Sequence, residues 1–202
     1  MTRHADLLQR VAPVDIVRKA VGPAESFMGS YGDAPLLCID LSAGSDGDLE
    51  AGLTFSLDAS TASNRMSFHT IIGGSQVGDP LLTGGLTVSD LATRLRVHRH
   101  FVLPLVKRSQ RSMSMDRIVV GRARNNDVVL RHASVSKFHA WFECLADGVV
   151  RVADAGSTNG TKLNGERLEP KTLVEVAHGS PLIFGRVTTF VCDPMLLWEV
   201  FH

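Results

Sequence analysis

Residues 154 to 161 read Asp-Ala-Gly-Ser-Thr-Asn-Gly-Thr. Ser157, Thr158 and Asn159 place two hydroxyls and a carboxamide beside Gly156 and Gly160, on backbone free to turn sharply. Such a run can grip an anion or a peptide backbone, and it holds no nucleophile paired with a base. Upstream stand Gly121-Arg122 and Ser136-Lys137-Phe138-His139, and Asn164-Gly165 follows directly. The arginine and the serine supply the charge and the further hydroxyl that a phosphate site needs.

Other chemistry is poorly represented. Gly156 to Lys162 has glycines and a lysine but lacks the Gly-x-x-x-x-Gly-Lys-Ser/Thr spacing of a nucleotide phosphate loop. His98 and His100 lie one residue apart on a strand-like run without further ligands nearby, and read as two exposed histidines. Cys38, Cys144 and Cys192 are odd in number, far apart and set among apolar residues, so they read as reduced core thiols. Neither a metal, a cofactor nor a catalytic residue is expected, and the protein reads as a non-enzyme.

With 202 residues and 44% hydrophobic composition, the chain can build one large or two small cores. It carries no apolar run long enough to span a membrane and no secretory leader pattern, which predicts a cytoplasmic protein without membrane insertion. Net charge is zero, but residues 1 to 96 carry 7 basic and 11 acidic side chains, and residues 97 to 202 carry 14 and 10. The second half has the better field for an acidic partner, while so small and scattered an excess predicts no nucleic-acid binding.

The elements that must position these residues follow from the hydrophobic pattern. Leu7, Leu8, Val11, Val14, Val17 and Val21 predict a helix over 3–21, broken or restarted at Pro13 and ended by Gly22-Pro23. Apolar runs at 35–41, 53–57 and 66–72 predict short strands, residues 73–85 a glycine-rich loop, and 90–96 a helix capped by Ser89. Beyond residue 100 the chain becomes a succession of short β-like runs, at 101–106, 117–120, 128–130, 138–145, 149–154, 162–163, 172–176, 181–184 and 188–192. That punctuation predicts a β-sandwich, and Met195 to Phe201 a closing helix. The expected fold is mainly β: a sandwich over 97–202, preceded by a small α+β segment over 1–96 of unassigned role.

In this order and on this pattern, Gly121-Arg122, Ser136-x-x-His139, Asp154-x-Gly-Ser-Thr-Asn-Gly-Thr and Asn164-Gly165 resemble a forkhead-associated (FHA) domain. The resemblance covers about the C-terminal half. It implies an eleven-stranded sandwich whose loops at one end bind phosphothreonine peptides, with Arg122, Ser136, Lys137, Thr158 and Asn159 as contacts. Arg122 would supply a guanidinium fork to the phosphate, Ser136 and Thr158 hydroxyl donors, Lys137 further charge, and Asn159 a clamp on the peptide backbone. Gly121, His139, Asp154, Ser157, Gly160, Thr161, Asn164 and Gly165 would support the site. Ser134 stands where relatives can carry a charge that selects among peptides, and a neutral serine there argues against strong charge selection.

The reading is therefore a noncatalytic adaptor in Ser/Thr kinase signalling. Its partners would be a threonine-phosphorylated protein and the kinase upstream of it. The alternative is a sandwich of the same shape that binds proteins without regard to phosphate.

Overall fold

The computed structural model describes residues 12–13, 23–31, 34–40, 88–97, 100–107 and 117–201. Among them are twelve strands in two sheets and three helices. The seven-stranded sheet runs in the order β1 (Ala12–Pro13), β3 (His100–Pro104), β2 (Leu36–Asp40), β12 (Val187–Cys192), β11 (Pro181–Phe184), β8 (Thr161–Leu163), β9 (Glu166–Arg167). The five-stranded sheet runs β10 (Val174–Val176), β7 (Val150–Asp154), β6 (Ala140–Cys144), β4 (Arg117–Gly121), β5 (Val128–Val129). Neighbours pair antiparallel except β4 and β5.

The two sheets close over Leu37, Ile39 and Leu103 on one side and Val120, Phe142 and Val152 on the other. Alternate residues of the seven-stranded sheet, Leu36, Cys38, Val102, Phe190 and Cys192, point the other way. They are covered by Phe27 of α1 (Ala24–Tyr31), Leu91 and Leu95 of α2 (Val88–Val97), and Leu197 and Val200 of α3 (Pro194–Phe201). β2 thus has a core on each face, which is why Leu36-Leu37-Cys38-Ile39 is apolar without alternation. Each such leucine or isoleucine contributes roughly 1.5–3 kcal/mol through burial.

β2 lies between β3 and β12, so the expected boundary at 96/97 cuts through a continuous sheet. Local periodicity reports that 36–40 is a strand, not which strand it pairs with. Two further expectations change near the start. Ala12-Pro13 is extended and pairs with Val102 and Phe101, not helical, because Pro13 cannot donate to a helix but is tolerated on an edge strand. The rest of the helix expected over 3–21 lies outside the described residues, as do the runs at 53–57 and 66–72 and the loop at 73–85. Pro23 opens a helix as well as following Gly22: its carbonyl accepts the Phe27 N–H at 3.1 Å at the start of α1.

His100 is buried directly opposite Asp40, with its Nε2 3.8 Å from Asp40 Oδ2, in contrast to the exposed position expected of it. All three cysteines are free thiols, as read from the sequence. Burial pushes the Cys144 thiol up to about 11, and a hydrogen bond with Cys38 together with burial holds Cys192 well above the usual range. Neither is a ready nucleophile at neutral pH. α3 begins as its sequence demands, with Asp193 Oδ1 accepting the Leu196 N–H at 2.6 Å.

Candidate functional site

Three connections at one end of the sandwich carry the candidate contact residues: β4 to β5, the irregular stretch from β5 to β6, and β7 to β8. The run expected as a strand from 138 becomes β6 only at Ala140. Its earlier part leaves the ladder because its polar groups are committed to the loops around it.

Arg122 follows β4 directly. Its backbone N–H donates to Ser136 O at 2.9 Å and its Nε to Val135 O at 3.1 Å. The side chain is exposed, and among the described residues its two terminal nitrogens have no hydrogen-bond partner. One nitrogen of the guanidinium therefore aims the group and the others remain for an anion. Gly121 must be glycine, since a Cβ there would lie 2.4 Å from Lys137 O and 2.7 Å from Asn126 Nδ2. Asn126 was not singled out by sequence. Its Nδ2 donates to Ala123 O at 3.0 Å and Lys137 O at 2.6 Å, lacing the loop that follows Arg122 to the loop after Ser136. Asp127 was missed as well: it accepts the Val119 N–H at 2.8 Å and lies 3.2 Å from the Lys107 ammonium, fixing the start of β5 to β4. Only the turn-like composition of Arg124-Asn125-Asn126-Asp127 hinted at either.

Ser136 and Thr158 meet. The Thr158 N–H donates to Ser136 Oγ at 3.1 Å and Ser136 Oγ donates to Thr158 Oγ1 at 3.3 Å. The pair is exposed, and rotation of either hydroxyl can turn its proton toward an incoming oxygen. Asn159 Nδ2 donates to Ser134 O at 2.8 Å, leaving Oδ1 and a second N–H to face a peptide unit. Lys137 is exposed, while its backbone carbonyl is held by the Ala123 N–H at 3.2 Å and by Asn126. Ser134 is a junction: its Oγ accepts the Arg186 N–H at 2.9 Å and donates to His132 Nδ1 at 2.7 Å, because that nitrogen already accepts the Ser134 N–H.

Beneath these contacts is a polar frame. His139 is fully buried; its Nδ1 accepts the Ser136 N–H at 3.0 Å, so its proton is on Nε2, 3.2 Å from Gly160 O. One neutral ring spans two loops of the site. Burial lowers its pKa, against the smaller opposing pulls of the Gly160 carbonyl and Asp154. The folded value is thus below the unfolded ~6.5, and the unfolded chain binds the proton more readily. Stability is fully present above ~6.5 and declines as pH falls from there through the folded value. Thermal melts from pH 7.5 to 5 are expected to show this fall, with a shallower slope in His139→Ala.

Asp154 ends β7 and is 1% exposed. Its Oδ1 accepts the N–H groups of Gly156 and Ser157, both at 2.8 Å, and its Oδ2 the hydroxyls of Ser157 and Thr161, both at 2.7 Å. Burial alone raises its pKa, but the four donors together outweigh that and hold the carboxyl below its ordinary value. Ser157 Oγ in turn accepts the Gly160 N–H at 2.9 Å. Asn164 and Gly165, at φ 52° and 88°, make the two-residue turn joining Leu163 to Glu166.

A β-sandwich with this constellation of loops is the FHA class of domain, and residues 118–185 match the family model of the FHA domain. The chain carries an FHA domain over that stretch. The DNA damage response protein kinase DUN1 of Saccharomyces cerevisiae is 35% identical over 79 residues, covering 36% of this chain and 15% of the relative. Human kanadaptin is 38% identical over 78 residues, covering 34% of this chain and 10% of kanadaptin. The chain thus spans only a small fraction of the length of either relative. A solved FHA domain studied for phosphothreonine-dependent interactions is 25% identical, covers 38% of this chain and 76% of its own, and has a TM-score of 0.35.

Proposed function

We propose that this FHA domain binds a threonine-phosphorylated protein and acts as a noncatalytic adaptor downstream of a Ser/Thr kinase, in the cytoplasm. The observation that carries the reading is the convergence on residues 134–136. Arg122 binds Val135 and Ser136 through its Nε and backbone N–H, the Ser136 hydroxyl pairs with Thr158, and Asn159 holds Ser134. One aimed guanidinium, two hydroxyls and a carboxamide match a phosphate monoester on a peptide, which offers nearly two negative charges and several strong acceptors.

The way the titratable groups beside the site are spent supports a noncatalytic role for it. Both nitrogens of His139 and both oxygens of Asp154 are engaged within the frame. Neither is placed to move a proton for a bound ligand. Among the described residues no helix is long and apolar enough to cross a membrane.

The test is a titration of the full chain with one peptide sequence in phosphothreonine, phosphoserine and unmodified forms. The phosphothreonine form is expected to bind, with the unmodified form weaker by tenfold or more, on the order of one to two charge-assisted hydrogen bonds. Equal binding of modified and unmodified peptides would overturn the reading in favour of a phosphate-independent interaction module.

A further inference from the structure

Phe138 is 50% exposed, the most exposed of the large hydrophobic side chains among the described residues, yet its backbone is held firmly on both sides. Lys137 O accepts from Ala123 and Asn126, and the His139 N–H donates to Val120 O at 2.9 Å. The ring is thus held out on a fixed support. It lies over Trp141, with ring centroids 6.3 Å apart and planes 18° from parallel. Trp141 belongs to the outer face of the five-stranded sheet, where the Arg117 guanidinium carbon sits 4.7 Å from its ring centroid. Arg117 is itself anchored by Glu143, at 3.2 Å. Trp141 is 6% exposed, and its buried indole N–H has no hydrogen-bond partner among the described residues.

These features form a ledge that begins two residues from Ser136. Two residues of extended chain span at most about 7 Å, so Phe138 lies within reach of the residues that flank a phosphothreonine held at Ser136. An unpaired buried donor is costly in a free protein and rarely left so. A peptide carbonyl passing over the ledge can accept from it once the Phe138 ring turns about its Cα–Cβ bond. Peptide continuity, an apolar ring held in solvent and an unsatisfied indole point to the same occupant.

We infer that the Phe138–Trp141 ledge binds an apolar side chain of the phosphorylated partner, within about three residues of its phosphothreonine. The inference rests on the phosphothreonine reading above, and it adds to it a requirement on the sequence of the partner.

The experiment uses the full chain with Trp198→Phe, so that Trp141 is the single tryptophan. The probes are phosphothreonine peptides with alanine at the three positions on either side, and versions with leucine placed at each position in turn. One or two leucine positions are expected to raise affinity about five- to tenfold, the range of one aromatic contact, and to shift Trp141 emission. Phe138→Ala removes that gain while binding the all-alanine phosphopeptide within roughly twofold of the parent protein, which also shows the variant folded. Phe138→Leu, which keeps apolar area, retains most of the gain.

A gain that survives Phe138→Ala, or no gain at any position, overturns the ledge and leaves the phosphothreonine site standing. If Phe138→Ala instead abolishes a concentration-dependent dimer and no leucine position matters, the ledge belongs to a second copy of this chain and the inference is equally overturned. Failure of the parent protein to bind any phosphothreonine peptide sinks the site and the ledge together.

Discussion

Arg122→Ala is expected to weaken phosphothreonine-peptide binding by about ten- to a hundredfold, the cost of one or two hydrogen bonds to a charged group. The unmodified peptide is expected to bind the variant and the parent alike. The effect should be large because the side chain is both charged and aimed: the bond from Nε to Val135 O sets the direction of the fork. Arg122→Lys tests that division. Lysine restores the charge but has no nitrogen at the ε position of the guanidinium and no planar fork, so it should recover only a small part of the affinity. Calorimetric titration of the three proteins against the phosphorylated peptide measures all of this. Parent-like affinity in Arg122→Ala would move the phosphate away from this arginine, with the exposed Lys137 the next cation to examine.

Asp154→Ala should have the second large effect, on folding more than on contact. The substitution strands two backbone N–H groups and two hydroxyls that now converge on one buried carboxylate. A loss of about 3–5 kcal/mol is expected, since each buried donor left without a partner costs on the order of 1 kcal/mol or more. Phosphopeptide binding should fall with it, because Thr158 and Asn159 stand on the loop that the carboxylate organises. Asp154→Asn should be milder, since one amide oxygen can still accept from backbone N–H groups. The carboxyl titrates below its ordinary value in the folded state. Its contribution is therefore complete above the unfolded value near 3.9 and is lost as pH falls through the depressed folded value. Urea denaturation of parent and variant at pH 7 and at acid pH checks both points, and the gap between the two proteins should narrow in acid.

Much of the site can be read in the sequence because its residues work locally. Asp154, Ser157, Gly160 and Thr161 close their hydrogen bonds within a few positions of one another, and the positive φ of Asn164 and Gly165 is written in their residue types. Arg122, Ser136 and Thr158 come from distant positions, and only the resemblance to a known family joined them beforehand. Asn126 stayed hidden, since a buried asparagine that laces two loops and one that turns a corner are spelled alike. So did the exposure of Phe138, which an apolar pattern places in a strand, and the burial of His100 against Asp40. Both depend on what the fold brings alongside.

The same limit governed the expected boundary at 96/97. β2 was legible as a strand, while its partners were not, because pairing registers are set by tertiary packing and carry no local mark.

The position of β2 also sets a timetable. Cys38 is opposite Phe190, so the middle of the large sheet joins segments roughly 150 residues apart in sequence. During synthesis at about 5–20 residues per second, β2 can pair with β3 on one edge but waits roughly 8–30 seconds for β12 on the other. Until then the sheet lacks its central pairing, so the closing of this long-range contact sets the earliest moment at which both cores can be completed.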